Sequence, residues 1–96
     1  MAIEIMRFRT IPGTMSEAVR EADAAVQVEF AYQQPGLLRR TTARSADGEW
    51  VVVSVWRTSA DAEAAERRFA ADPATERLRS LIDQASLSVS RYDELS

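Results

Sequence analysis

Ninety-six residues make one domain, 1–96, and folding alone leaves a chain this short with much apolar surface uncovered. Hydrophobic residues are 46% and charged residues 28%, the balance of a globular protein, and a net charge of −3 with no basic run longer than two residues argues against a nucleic-acid partner. Cysteine and histidine are absent and all twelve basic residues are arginine, which excludes disulfides, thiolate and imidazole chemistry and a lysine Schiff base.

Residues 2–9, "AIEIMRFR", alternate as a strand, with Ile3 and Ile5 on one side and Met6 and Phe8 on the other. Pro12-Gly13 marks a turn, and Thr14 with Glu17 has the spacing of a capping box. Met15, Ala18, Val19, Ala22, Val26 and Phe30 then form the apolar stripe of a helix that Pro35-Gly36 stops near Tyr32 to Gln34. "LLRRTTAR" is a less apolar strand, suited to a sheet edge, where charge discourages edge-to-edge pairing. Asp47-Gly48 predicts a hairpin turn into "EWVVVSVWR", the most apolar segment, which has side chains worth burying on both faces and so belongs at the sheet centre.

Thr58 or Ser59 caps a second helix whose inner stripe is Ala62, Ala65, Glu66 and Phe69. Asp72-Pro73 starts a third, short helix that turns Leu78, Leu81 and Ile82 inward. "SLSVSRY" alternates again and closes the chain as a last strand. The order β-α-β-β-α-β, with its second helix broken in two, is an α+β, ferredoxin-like arrangement with an antiparallel sheet. Helices cover one face of such a sheet. Val51, Val53 and Val55, with one side of the first strand, would otherwise meet water, so a second copy of the chain is expected on the other face. The longest wholly apolar run is four residues, Trp50–Val53, and no apolar leader follows Met1, so the expected location is cytoplasmic, with no membrane partner.

Three stretches carry a family resemblance: "MRFRTIPGT" running into the first helix, "PGLLRR" opening the second strand, and "VSVWRTSADAEAA". Together with the element order they make the chain similar, over nearly its whole length, to the antibiotic biosynthesis monooxygenase family of the dimeric α/β-barrel superfamily. The resemblance implies a homodimer that closes into a barrel. It also implies oxidation of polycyclic phenols to quinones by molecular oxygen, with no metal and no flavin. In that chemistry the protein binds the phenol in an apolar pocket, assists its deprotonation and stabilises the anion, and a tryptophan at the Trp56 position lines the pocket. Haem-degrading relatives pair that tryptophan with a strand-one asparagine and a histidine on the following helix. Here Met6 or a neighbour stands at the asparagine position and the chain has no histidine, so the resemblance does not extend to haem degradation.

The single residues carry two readings each. Trp56 either plugs the join between strand and helix or forms a pocket wall there. Trp50 reads as packing or a dimer contact. Glu66 is either a proton acceptor made more basic by apolar neighbours or a wet partner for an arginine. Met6, Phe8, Tyr32 and Phe69 line a cavity for a small aromatic substrate or fill the core. Arg7, Arg9, Arg39 and Arg40 hold an anion or decorate edges. Glu63 and Arg67 are a solvated i,i+4 pair. The leading expectation is a cofactor-free oxygenase with Trp56 and Glu66 as its catalytic residues. Its rivals are a non-catalytic binding, accessory or sensor protein and a cyclase or isomerase on the same scaffold.

Overall fold

The computed structural model describes residues 1–95. The elements are β1 (Ala2–Thr10), α1 (Ser16–Glu29), β2 (Leu37–Arg44), β3 (Trp50–Trp56), α2 (Ser59–Phe69), α3 (Glu76–Leu81) and β4 (Ile82–Asp93). The four strands form one antiparallel sheet in the order β2-β3-β1-β4. This is the ferredoxin-like α+β arrangement, with β2 at an edge and β3 inside, as the composition of the two strands predicts.

Register decides which side of β1 faces the helices. Ala2, Glu4, Met6 and Phe8 stand opposite Trp56, Ser54, Val52 and Trp50. Trp50, Val52, Ser54 and Trp56 are all buried, whereas Val51, Val53 and Val55 are only half-buried. The core therefore lies on the Met6 and Phe8 side, where Phe8, Val19, Val26 and Leu78 are almost wholly buried. Ile3 and Ile5 share the opposite face with the three valines. Trp50 belongs to the helix-side core, stacked on Phe8 with ring centroids 6.5 Å apart and with the Arg44 guanidinium over its ring, and is not on the face open to a second sheet.

Several local expectations change. The capping box does not form: α1 begins at Ser16 after Met15, which makes no side-chain cap, and the Thr14 hydroxyl donates instead to the Ile11 carbonyl at 2.6 Å. Met15 leaves the stripe and is exposed. The stripe from Val19 to Val26 also includes a buried aspartate, Asp23. Helical turns continue past α1 as a short 3-10 segment, Ala31–Gln33. Thr58, not Ser59, caps α2, its hydroxyl accepting from the Asp61 N–H at 3.1 Å. The Asp72 carboxylate accepts from Ala74 N at 2.8 Å and caps a 3-10 turn, Pro73–Thr75, that leads into α3. Ile82 is the first residue of β4 rather than the end of a helix, though it is buried as expected. β4 is longer than the alternating stretch suggested because Ile82 and Asp83 pair with Thr10 and Arg9 past a bulge between Arg7 and Arg9. Among the described residues no helix is long and apolar enough to cross a membrane.

Candidate functional site

The site is built around Trp56. Its strand neighbours are Ala2 on β1 and Leu37 on β2, and α2 lays Ala62 and Ala65 against it. The small side chains of Ala2, Ala62 and Ala65 leave room for the indole beneath the helix. The turn that brings α2 back depends on Gly36. This residue has φ +86 and its carbonyl accepts from Arg57 N at 2.7 Å, and a Cβ there would collide with the Asp61 carboxylate. Trp56 is 5% exposed, yet its indole N–H has no partner. A buried donor without an acceptor is disfavoured.

Beside it is a cavity of about 250 Å3 between the helix side of the sheet and α1, α2 and α3. Met6, Val52, Leu87 and Val89 form an apolar floor, and Val26, Phe30 and Phe69 a roof. The two phenyl rings meet edge to face with centroids 5.7 Å apart. Trp56, Glu66, Met6 and Phe69 thus all line one cavity. Phe8 and Tyr32 do not: Phe8 is core, 1% exposed, and Tyr32 lies in the 3-10 turn after α1, 53% exposed.

One transverse row of the sheet is polar on this side. Register places Arg91 of β4 beside Glu4 of β1, Glu4 beside Ser54 of β3, and Ser54 beside Arg40 of β2. Glu4, Ser54 and Arg40 line the cavity. Arg40 is neutralised: its Nη2 donates to Asp23 Oδ1 at 2.7 Å and its Nη1 to Gln27 at 3.3 Å. Arg7 and Arg39 are exposed, and Arg9 pairs with Asp47 outside the cavity. Of the strand arginines singled out from sequence, only Arg40 reaches the pocket. Glu63 and Arg67 form the expected exposed pair at 3.3 Å.

Sequence reasoning missed Glu4 and Arg91. The Glu4 side chain is 16% exposed, and Arg91 Nη2 donates to its Oε2 at 3.3 Å. The same Nη2 donates to Glu66 Oε2 at 2.5 Å, so one guanidinium serves two carboxylates. Burial, and then the Glu66 charge, push the Glu4 carboxyl above its ordinary 4.5, while Arg91 pulls the other way. Glu66 differs: its side chain is 47% exposed and held in the ion pair, so it lacks the dry surroundings expected for it. The geometry therefore sets a half-buried carboxylate of enhanced basicity in an apolar cavity bordered by a tryptophan whose enclosed indole N–H has no partner. Such a pocket can take a flat apolar ligand and accept a proton from its hydroxyl or acidic C–H.

Fold and cavity together define a ferredoxin-like α+β domain with a ligand-sized pocket between sheet and helices. The chain belongs to the antibiotic biosynthesis monooxygenase family, whose model matches residues 1–72. Among solved structures it is similar to SnoaB, a cofactor-independent oxygenase from Streptomyces nogalater, at 20% identity and TM-score 0.78 over 99% of this chain and 93% of that one. It is also similar to Rv0793 from Mycobacterium tuberculosis, at 20% identity and TM-score 0.71 over 99% and 95% of the two chains. A third likeness is to PA3566 from Pseudomonas aeruginosa, at 16% identity and TM-score 0.70 over 99% and 94%. At these identities the likeness is one of fold. No curated protein matches the chain.

Proposed function

We propose that the chain is a cofactor-independent monooxygenase acting on a hydroxylated polycyclic aromatic. The observation that carries this reading is the half-buried Glu4 carboxylate in the same apolar cavity as Trp56, whose indole N–H is unpartnered. A cavity of about 250 Å3 suits a small fused-ring ligand. Its rings would lie between the Met6, Val52 and Val89 floor and the Phe30 and Phe69 roof.

The chemistry needs a base and a dry site. Glu4 takes a proton from the phenol or from the ring methylene conjugated to it. The resulting anion is electron-rich and supplies the electrons that reduce oxygen. It combines with O2, and the protonated carboxyl returns its proton to give a hydroperoxide on the ring carbon. Loss of the second methylene hydrogen with cleavage of the O–O bond leaves a carbonyl and water, so the overall change is CH2 + O2 → C=O + H2O. The Trp56 N–H, enclosed without a ligand, shifts to donate to the ring oxygen on which negative charge develops. Excluding water from the floor and roof protects the anion.

We also propose that the chain works as a homodimer. Ile3, Ile5, Val51, Val53 and Val55 form a continuous apolar surface on the sheet face away from the helices. Burying each such side chain fully is worth about 1.5–3 kcal/mol, which favours a second sheet packed on this face.

Oxygen uptake with 1,8-dihydroxyanthrone as probe tests the catalytic reading. The protein should consume one O2 per anthrone converted to quinone. Conversion that proceeds equally without oxygen would instead support a cyclase or isomerase using the same base. Binding without conversion would support a non-catalytic binding protein.

A further inference from the structure

Arg91 Nη2 lies closer to Glu66 than to Glu4, at 2.5 Å against 3.3 Å, although Glu4 is the more buried of the two carboxylates. Its Nε is buried with no partner. A guanidinium free to choose would close on the buried carboxylate with two parallel N–H donors, the geometry that binds carboxylates most firmly. Here it does not: a single nitrogen, Nη2, meets Glu4 and also Glu66 of α2. Of the other charged groups lining the cavity, Arg40 from β2 is held by Asp23 of α1, and Arg79 from α3 donates to the Thr75 hydroxyl and the Asp72 carbonyl rather than to Glu4; Ser54 from β3 is uncharged.

Resting on the reading of Glu4 as the base, we propose that Glu66 is a positioning residue that holds the Arg91 guanidinium part-way off Glu4. This leaves the Glu4 carboxylate open to a substrate proton, while Arg91 still keeps it ionised. The three groups form one device. Without Glu66, Arg91 would fork onto Glu4 and make it a weak, blocked acceptor. Without Arg91, Glu4 would face Glu66 in an apolar pocket and hold its proton too firmly to act as a base near neutral pH. Arg91 lies beyond the segment matched to the family, so this control is carried by the last strand of this chain.

The device makes opposite predictions for its two outer members. Carbon-13 NMR of glutamate-labelled protein, with Glu4 assigned through Glu4→Gln, reads its titration directly and needs no substrate. Glu66→Gln should lower the Glu4 midpoint and Arg91→Gln should raise it, each by about tenfold in ionisation constant. The rising limb of oxygen uptake with 1,8-dihydroxyanthrone should move the same way, and Glu66→Gln should lower kcat with little change in KM. Glu66 is half-exposed on a helix, so its variant tests the proposal even if Arg91→Gln does not fold. An unmoved Glu4 midpoint in Glu66→Gln, or displacement in the same direction by both changes, overturns the positioning role. Full oxygen uptake in Glu4→Gln overturns the underlying assignment of the base instead.

Discussion

Arg40 on β2 and Asp23 on α1 form an ion pair at 2.7 Å with side chains only 6% and 13% exposed. It ties the edge strand to the first helix behind the pocket. Removing one member leaves a buried charge unmatched, which costs about 3–5 kcal/mol. Asp23→Asn should therefore lower the unfolding free energy by about that much in urea titration. Replacing both residues with apolar side chains of similar volume should cost far less. An Asp23→Asn variant as stable as the parent would mean that water already reaches Arg40.

Glu4 is predicted to be the residue without which oxygen uptake fails. Glu4→Gln keeps the shape of the side chain and removes its basicity, so kcat should fall by about 10²–10⁴-fold, the usual contribution of a general base. The base works ionised, and its folded carboxyl titrates above 4.5. Activity should therefore rise with pH through a midpoint higher than that of an ordinary glutamate and level off above it. The same shift has a stability consequence of opposite sense. A carboxyl raised by folding favours the folded state below 4.5, and this advantage is lost as pH rises through the folded midpoint. Relative to the parent, Glu4→Gln should thus gain stability as pH rises across that window.

Ala65 is 2% exposed and lines the cavity beside Trp56. Ala65→Leu would put its extra carbons into the ligand space. Ligand affinity should fall at least tenfold by fluorescence titration, with a stability change within about 1–3 kcal/mol because the added volume enters an existing cavity. Unchanged affinity would place the ligand elsewhere.

Val53 stands opposite Ile5 at the centre of the outer sheet face. Val53→Glu should produce a monomer in light scattering at micromolar concentration, where the parent should be a dimer. A variant dimer of undiminished affinity would move the interface to another surface.

Much of the layout is legible in the sequence, because period-two and period-3.6 patterns are direct consequences of burial on one side. The hydrophobic run of β3 and the helix cap at Thr58 locate Trp56, and the Asp47-Gly48 turn sets the β2–β3 hairpin. The choice between the two sides of β1 is not legible there, since Ile3 and Ile5 balance Met6 and Phe8. It takes the register with β3 to decide. Once the Met6 side is chosen, Glu4 is marked by parity as a carboxylate among inward residues, and Arg91 by parity with Leu87 and Val89. That signal was present but depended on the unresolved choice. Asp23 hides within the α1 stripe, because the arginine that compensates it comes from a strand elsewhere in the chain. Tyr32 was placed by its position after a helix, but the 3-10 turn there points it to solvent.

The most direct test of the pocket is fluorescence titration of a Trp50→Phe variant, which leaves Trp56 as the sole tryptophan, with 1,8-dihydroxyanthraquinone. Saturable quenching at micromolar ligand, abolished by Ala65→Leu, is the predicted result. No quenching up to the solubility limit of the ligand, in a variant that remains folded, would contradict the assignment of the cavity as an aromatic-binding site.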